Sequence, residues 1–511
     1  MNYPALLSFF CGLISLSLEI LWVRMYGFAM MSTPVAFGFV LMAYLSGIAL
    51  GAWQGGVACR TAPSESALWK QVTVVLLASA LLTLAIPSAF VWIQGQWWRN
   101  PVVDFALIAV SASVLAYVFP IAHHLGVGLK NTKQGKHFSW IYTSNVMGAA
   151  LGPLATGYVL LEYFTLQQAF LALATLQLCA FGLSFSSQNY NLSRIPVLLT
   201  SALLMSTLLW TSNAFDPHFM VKRLSKNNLI AYQVVENRSG IITVFREKDT
   251  DIVDDVVYGG NVYDGRTNLS MENNTNGLHR PLLLAALQPR PRRVLMIGLS
   301  IGSWLTLVNS FPGVEQIDAV EINAGYLQAI EAYPVQARAL RDPRVNLVID
   351  DARRWLRAHP GKIYDLVIMN TTWHWRANSG FLLSRDFLML IKEHMATDAV
   401  MAFNATGSPD AFFTAAQVFH HAYRYDNFIY AAGFDFRSRK ESIQARKTYS
   451  QMNLEGLEPF RGREDLINLF LGRSFHTIEQ EERNAGRPLE IITDTNGLTE
   501  YKYGYTLGKL Y

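Results

Sequence analysis

Long apolar runs separated by short polar breaks fill residues 1–212. Each run is about 20 residues long, the length that a helix needs to cross the hydrocarbon core of a bilayer. This pattern is typical of a helical membrane bundle and excludes a disordered chain, a coiled coil and a wholly soluble enzyme. The pattern predicts seven spans, at 4–30, 34–57, 68–93, 101–120, 140–161, 165–185 and 195–212.

Loop charges bear on the orientation of this bundle. The basic loops 58–70, 121–139 and 186–194 all fall on the side opposite the C-terminal half. Because cytoplasmic loops carry an excess of lysine and arginine, this distribution favours a C-terminal half outside the cytoplasm. Lys222, Arg223 and Lys226 follow the last span and favour the opposite orientation. The side therefore stays open, with a cytoplasmic soluble half as the working expectation.

The first span contains two charged residues, Glu19 and Arg24. Charges inside a bilayer are costly, so both are candidates for a functional role in the membrane. The alternative is a structural ion pair near the membrane interface. Farther along, Gly148, Gly152 and Gly157 have a spacing that predicts close packing between helices.

The C-terminal half has two patterns. From 229 to 264 apolar and polar residues alternate between turn signals, which predicts a small antiparallel sheet. After residue 292, short apolar strands alternate with helices, which predicts a doubly wound, Rossmann-like α/β sheet. The predicted regions are a transmembrane bundle at 1–212, a linker and small β-sheet at 213–265, a Rossmann-like nucleoside-binding domain at 266–440 and a C-terminal extension at 441–511.

Polar residues end the strands of the predicted Rossmann-like sheet. Gly298 and Gly302 frame the first turn, where a missing side chain lets a ligand approach the backbone. Glu321 closes the second strand, at the place where an acid accepts both hydroxyls of a ribose. The residues that end the third and fourth strands are Asp350, Asp351 and Asn370. Three acids on successive strand ends favour an adenosine ligand without a pyrophosphate.

Charge and cysteine content exclude several other functions. The net charge is only +4, and the soluble half has no stripe of basic residues of the kind that follows a phosphate backbone, so nucleic acid is not an expected partner. Cys11, Cys59 and Cys179 all lie in apolar segments, so neither a disulfide framework nor a cysteine-based zinc site is expected. No metal is expected.

Three runs in the soluble half resemble the spermidine synthase (polyamine aminopropyltransferase) family. They are VEQIDAVEINA at 314–324, DPRVNLVIDD at 342–351 and YDLVI at 364–368. Tyr263-Asp264-Gly265 and the motif at 279–282 are similar to that family's N-terminal sheet and the entry to its nucleotide domain. The membrane half, with Glu19, Trp22 and Arg24, is similar to integral-membrane relatives that fuse a helical bundle to such a domain. The ending Thr493-Asp494-Thr495-Asn496 also resembles these relatives.

The resemblance implies a spermidine-synthase or SAM-methyltransferase type of fold. It implies a site for S-adenosylmethionine (SAM), its decarboxylated form or methylthioadenosine, with Glu321 on the ribose and Asp350 on the adenine. The substrate-facing candidates are Tyr263, Asp264, His279, Trp373 and Asp494.

Several positions depart from the pattern of the family. The family's first turn carries Gly-Gly-Gly-Asp-Gly, whose aspartate holds the aminopropyl ammonium, whereas this chain has Gly-Leu-Ser-Ile-Gly at 298–302. The aspartate that helps to deprotonate the attacking amine is replaced by Asn370, which cannot accept a proton at neutral pH. The polyamine-facing glutamate upstream of His279 is also missing. The adenosine half of the site is thus retained, and the polyamine half is rewritten.

An unusual cluster, Trp373-His374-Trp375-Arg376, follows Asn370. Aromatic faces stabilise a sulfonium cation, His374 is a candidate base, and Arg376 is a candidate ligand for a carboxylate or phosphate. The alternative is that the tryptophans cap the domain against the membrane or the N-terminal sheet.

These observations predict a membrane-bound enzyme that transfers an alkyl group from SAM or decarboxylated SAM to a small or membrane-associated acceptor. Asn370, His374 and Arg376 are its catalytic candidates. The alternatives are a SAM-dependent methyltransferase and a transporter or sensor that binds an adenosine ligand without turning it over. The expected partners are the lipid bilayer and the acceptor, and a homodimer is possible.

Overall fold

The N-terminal part of the structure is a bundle of long helices. The structure is a computed structural model that describes residues 3–96, 98–127, 134–186, 216–225, 230–246, 254–452 and 464–510. The helices of the bundle are α1 (Tyr3–Ala29), α2 (Pro34–Thr61), α3 (Glu65–Ile93), α4 (Pro101–Ala116), α5 (Val118–Val127), α6 (Gln134–Ala155), a π-helical turn (Thr156–Leu160), α7 (Leu161–Tyr163) and α8 (Leu166–Ser186).

Five helical segments of the described chain are long and apolar enough to cross a membrane, by length and composition. They are Tyr3–Ala29, Pro34–Thr61, Glu65–Ile93, Pro101–Val127 and Gly135–Tyr163. The predicted sixth span corresponds to a shorter apolar helix, Leu166–Gly182, and the predicted seventh span lies outside the described residues. The fourth segment extends seven residues beyond its predicted end at 120. Its helix breaks at Tyr117, because the ring of Pro120 conflicts with the carbonyl of Ala116.

Glycines bring α1 and α6 into close contact. A Cβ atom on Gly148 or Gly152 would meet the backbone of α1 at Phe9 or Leu13, and Gly12 faces α6 in the same way. The predicted packing role is therefore confirmed for Gly148 and Gly152. It is wrong for Gly157, where an added Cβ would have no neighbour within 4 Å.

The soluble half begins with a short helix and a four-stranded antiparallel sheet, as predicted. The elements are α9 (Phe219–Leu224), β1 (Ile230–Asn237), β2 (Gly240–Arg246), β3 (Val256–Gly259) and β4 (Val262–Arg266), with the strands in the order β1-β2-β3-β4.

A seven-stranded mixed sheet forms the centre of the larger domain. Its strands are β5 (Arg293–Ile297), β6 (Gln316–Glu321), β7 (Val345–Ile349), β8 (Tyr364–Met369), β9 (Met395–Asn404), β10 (His421–Tyr425) and β11 (Phe428–Ala432), in the order β10-β11-β9-β8-β5-β6-β7. Strands β5 to β9 run parallel to one another, and β11 pairs antiparallel with both of its neighbours, β9 and β10. The chain order reverses at β5, and a parallel sheet of this type binds its ligands in the crevice at such a reversal.

Helices cover both faces of this sheet, so its central strands are buried and read as continuous apolar runs. These helices are α10 (His279–Leu287), α11 (Ser303–Asn309), α12 (Gly325–Ile330), α13 (Pro334–Leu340), α14 (Ala352–Ala358), α15 (Gly380–Leu383), α16 (Arg385–Glu393) and α17 (Pro409–Val418). The C-terminal helices are a 3₁₀ turn (Arg437–Glu441), α18 (Ile443–Gln451), α19 (Glu464–Gly472), α20 (Ile478–Asn484), a π-helical turn (Leu498–Lys502) and α21 (Leu507–Leu510).

The turn between α1 and α2 contacts the soluble half directly. Ser32 donates a hydrogen bond to the Gly260 carbonyl (3.1 Å), and its own carbonyl accepts one from the Ala377 amide (2.9 Å). From within α1, Arg24 donates to the Asn237 carbonyl (2.5 Å). The bundle is thus attached to the small sheet and to the loop that follows β8.

This placement changes the interpretation of the charges in the first span. Arg24 bonds the β1–β2 turn rather than Glu19, so the alternative of an ion pair between the two residues is wrong. A second contact joins the same sheet to the bundle, since the Glu236 carboxylate accepts a hydrogen bond from the Leu166 amide at the start of α8 (2.8 Å).

Candidate functional site

Two cavities lie along the carboxyl ends of the parallel strands. The first, here called the β8 cavity, has a volume of about 270 Å³ and is bounded by Asn370 and Thr371 beyond β8, by the turn after β5 and by β4. The second, the β7 cleft, has a volume of about 460 Å³ and is bounded by Asp350 and Asp351 beyond β7 and by the β1–β2 turn. Both lie at the position that this sheet topology predicts for a ligand.

The glycines of the β5 turn serve the backbone of the turn itself. Gly298 and Gly302 have left-handed φ angles of 81° and 78°, which favour glycine. A Cβ atom on Gly298 would lie 2.6 Å from the Asn370 carbonyl oxygen. Neither glycine lines the β8 cavity, whereas Leu299 and Ser300 between them do. Gly298 is therefore required because the backbone at the end of the neighbouring strand β8 approaches it closely.

Glu321 is buried at the end of β6 and, among the described residues, does not line either cavity. Its carboxylate accepts hydrogen bonds from the Leu299 amide (2.8 Å) and the Asn323 amide (2.9 Å). Burial raises the pKa of this carboxyl to about 7, although the two backbone hydrogen bonds oppose the shift. Leu299 lines the β8 cavity and Ile322 lines the β7 cleft, so the residues bonded or adjacent to Glu321 face both spaces.

The β7 cleft combines acids with exposed aliphatic side chains. Asp350 accepts from the Arg354 guanidinium (2.5 Å), and Asp351 accepts from the Arg354 amide (2.9 Å) as the N-cap of α14. Ile322 is 64% exposed and Ile349 is 43% exposed, which is unusual for isoleucine. Two aliphatic faces beside a carboxylate provide the contacts that a flat base with an exocyclic amine requires.

Asp264 forms part of the wall of the β8 cavity contributed by β4. Its carboxylate accepts a hydrogen bond from the Tyr326 hydroxyl, and its carbonyl accepts one from Ser300 (2.9 Å). Burial raises the pKa of Asp264, while the hydrogen bond from Tyr326 and the charge of Arg376 oppose the shift. The neighbouring Tyr263 also lines this cavity.

Some residues of the segment after β8 line the β8 cavity, and others lie behind the residues that line it. Asn370 and Trp373 line the β8 cavity, and the Trp373 indole donates to the Tyr263 carbonyl (3.2 Å). His374 lies behind them, with its Nδ1 atom 3.1 Å from Oγ1 of Thr406, which does line the cavity. Burial lowers the pKa of His374, so its imidazole is neutral at pH 7.

Arg376 lies on the side of the cluster that faces the small sheet. Its guanidinium donates to the Thr372 hydroxyl (3.0 Å), and it approaches the β3–β4 turn at Gly260. Like His374, it is not among the described residues that bound either cavity.

Two other predicted residues have partners away from the cavities. His279 is buried between Asn274 (2.6 Å) and Asp426 (3.1 Å), at the start of α10. Asp494 accepts hydrogen bonds from Arg353 and from Ser384 (2.6 Å), which attach the C-terminal segment to α14 and α16.

Several residues that line the β8 cavity were not predicted from the sequence. Arg280 is adjacent to the predicted His279, and Trp304 opens α11 directly after the glycine turn. Asn404 ends β9, and Asn427 lies in the β10–β11 turn. A prediction of β9 would have identified Asn404 by the strand-end reasoning that identified Asn370.

Comparisons with known proteins identify one domain of the chain. Residues 279–421 match the family model described as "Spermine/spermidine synthase domain". The polyamine aminopropyltransferase of Alkalilimnicola ehrlichii is 39% identical over 85 residues, which are 16% of this chain and 30% of that protein. Polyamine aminopropyltransferase 2 of Streptomyces coelicolor is 25% identical over 352 residues, which are 66% of this chain and 62% of that protein.

Two further similarities complete these comparisons. Putrescine N-methyltransferase 2 of Nicotiana attenuata is 34% identical over 85 residues, which are 16% of this chain and 23% of that protein. A crystal structure of spermidine synthase in complex with the transition state analogue AdoDATO has 17% identity and a TM-score of 0.37, covering 50% of this chain and 88% of that one. Residues 279–421 contain the strand ends at Glu321, Asp350 and Asn370, and they are a spermidine synthase-like domain.

Proposed function

We propose that this protein is a membrane-bound transferase that takes an alkyl group from the sulfonium of SAM or decarboxylated SAM. The observation that carries the proposal is the burial of Glu321 beside residues of both spaces, since its partner Leu299 lines the β8 cavity and its neighbour Ile322 lines the β7 cleft. A nucleoside with its base in the β7 cleft and its ribose at Glu321 directs its sulfonium chain toward the β8 cavity. Trp373 and Trp304 on that cavity's wall offer aromatic faces to a sulfonium.

In the proposed reaction a nucleophile of the acceptor attacks the carbon beside sulfur. A new bond forms to that carbon, the carbon–sulfur bond breaks, and its electron pair stays on sulfur in the departing thioether. The chain's contribution is to align the acceptor with this carbon and to exclude water. In this proposal Asn370, which lines the cavity, orients the acceptor by hydrogen bonding, since its amide takes no proton at neutral pH.

A proton released by the acceptor passes, in this proposal, to His374. Its neutral imidazole contacts Thr406, and the Thr406 hydroxyl is the group that bridges His374 and the β8 cavity. Replacing His374 with glutamine should remove the acidic limb of the pH–rate profile and leave nucleoside affinity unchanged. An unaltered profile would contradict this role for His374.

Incubation of the detergent-purified protein with SAM and, separately, with decarboxylated SAM tests the proposed function. The released nucleoside is then identified by chromatography and mass. Methylthioadenosine shows cleavage at the propyl carbon, as the proposal expects, and S-adenosylhomocysteine shows methyl transfer instead. If the preparation binds SAM saturably but releases no methylthioadenosine and no S-adenosylhomocysteine, this result would contradict an enzymatic role.

A second candidate function is a membrane sensor that binds the nucleoside without turnover. The hydrogen bond from Arg24 to Asn237 favours it, because Asn237 belongs to the turn that bounds the β7 cleft. A ligand in the cleft would then change a contact with α1. The product assay separates the two functions, because a sensor gives saturable binding and no product.

We further propose that the bundle is integral to the membrane and that the soluble half faces the cytoplasm, where SAM is made. Basic residues occur at both ends of the bundle, with Arg99 and Lys222 near the C-terminal domain and Arg60 and Lys70 at the opposite end, so their distribution favours neither orientation. A fluorescent or phosphatase reporter fused after residue 511 tests this point. Phosphatase activity outside the cytoplasm would overturn it.

A further inference from the structure

Arg280, one of the two arginines that line the β8 cavity, has neutral hydrogen-bond partners. The Arg280 guanidinium donates to the Gly277 carbonyl (2.9 Å), the Asn276 carbonyl (2.9 Å) and the Asn427 side-chain oxygen (2.7 Å). It also lies over the rings of Trp304 and Phe428. Arginine has five N–H donors, so one donor on each terminal nitrogen stays available beyond these contacts in the described chain.

The nearby acids are engaged with other groups. Arg266, the other arginine of the cavity wall, pairs with Asp254 (2.7 Å). Asp426 is close enough to Arg280 to stabilise its charge, but its hydrogen bond is to His279 (3.1 Å). Asp264 is bonded to Tyr326 on the far side of the cavity wall. The available donors of Arg280 therefore lie on a wall where an anion, rather than a second cation, is the favourable ligand.

A chain of amides extends this donor surface. Because Arg280 bonds the Asn427 oxygen, the Asn427 amide nitrogen donates to the Asn404 side-chain oxygen (2.9 Å). That oxygen also accepts from the Thr406 amide (2.9 Å). These contacts fix the orientation of the Asn404 amide and leave its NH₂ group as a donor on the cavity wall.

We infer that the β8 cavity binds a carboxylate of a reactant, through the two available N–H groups of Arg280 and the amide of Asn404. The inference rests on the proposed function, and it names one of the two reactants as carboxylate-bearing. The carboxylate has two sources, the α-carboxylate of SAM itself or a carboxylate on the acceptor. A planar guanidinium fork matches a carboxylate in either case.

Equilibrium binding to the detergent-purified full chain distinguishes the two sources. For a donor carboxylate, the wild-type protein binds SAM at least about tenfold more tightly than decarboxylated SAM, and Arg280→Gln removes that preference. For an acceptor carboxylate, the protein saturated with methylthioadenosine binds 4-aminobutanoate at least about tenfold more tightly than 1,4-diaminobutane, and Arg280→Gln removes this preference instead. Arg280→Lys keeps the charge without the fork and should retain part of either preference.

Methylthioadenosine serves as the internal control, because it has no carboxylate. Its affinity should be the same in Arg280→Gln and wild type, which shows that the variant folds and keeps its nucleoside site. Arg290→Gln removes an exposed arginine of the same domain and should change nothing. Binding of 1,4-diaminobutane and decarboxylated SAM as tight as that of their carboxylate partners would overturn the inference. Failure of the wild type to bind methylthioadenosine would instead overturn the proposed function.

Discussion

The raised pKa of Glu321 predicts how nucleoside affinity depends on pH. In the proposed site the carboxylate accepts both ribose hydroxyls only when it is ionised, and its pKa lies at about 7. At that pKa about one tenth of the carboxyl is ionised at pH 6 and about nine tenths at pH 8, so affinity should rise about tenfold across this interval. At the usual pKa of a glutamate the group is ionised throughout, and affinity would be constant.

The same shift has an effect of opposite sign on stability. The folded carboxyl holds its proton up to about pH 7, whereas the unfolded one loses it near 4.5. Because the folded state binds more protons between these values, stability falls as pH rises from about 4.5 to 7 and is constant above. The whole loss is about 3 kcal/mol, at 1.36 kcal/mol for each unit of pKa.

Methylthioadenosine is a suitable probe, because its own charge does not change between pH 6 and 8. Titration calorimetry at half-unit intervals measures the affinity of the wild type, of Glu321→Gln and of the surface control Glu393→Gln. Glu321→Gln should bind more weakly at pH 8, because its NH₂ group faces the Leu299 or Asn323 amide, which is also a donor. Its affinity should not depend on pH, because glutamine does not titrate. A wild-type affinity that stays constant from pH 6 to 8 would refute both the shifted pKa and the ribose contact.

Three further predictions concern the bundle and the domain. Gly148→Val should lower the melting temperature of the bundle and its yield in detergent, because the new side chain meets the α1 backbone, whereas Gly157→Val should be tolerated. Arg24→Gln should speed hydrogen exchange in the β1–β2 turn by breaking the bond to Asn237, and equal protection in both proteins would contradict that contact. Trp304→Ala should destabilise the soluble domain by about 3–5 kcal/mol in denaturant unfolding, since the side chain is 6% exposed and packs on Phe428.

The strands around the nucleoside were predictable from sequence, because each is a short apolar run closed by a polar residue. Glu321, Asp350 and Asn370 could be placed at strand ends by that rule alone. Strands β9 to β11 were not predicted, although they complete the sheet and supply Asn404 and Asn427 to the cavity. Strand β9 pairs with β8 and β11, from which other elements separate it, and no local pattern records that register; β10 and β11, in contrast, form a hairpin closed by Asp426 and Asn427.

The direction of side chains in loops was also not predictable from the spacing of residues along the sequence. The adjacent residues Trp373 and His374 differ in placement, the first on the cavity wall and the second behind it against Thr406. The loop that carries them has no regular period, so alternation gives no prediction of which side chain faces the ligand. The role of Arg24 at the small sheet was hidden for a similar reason, because its partner lies 213 residues away.

We expect the turn between α1 and α2 to make the proposed membrane enzyme sensitive to the thickness of the bilayer. Ser32 and Met31 adopt left-handed backbone conformations, with φ angles of 54° and 56°, and Ser32 bonds both the β3–β4 turn and the loop after Trp373. A bilayer too thin or too thick for α1 is accommodated by tilt of the helix. Such a tilt displaces this turn and, with it, one wall of the β8 cavity. Turnover in vesicles should therefore pass through a maximum as acyl chain length is varied.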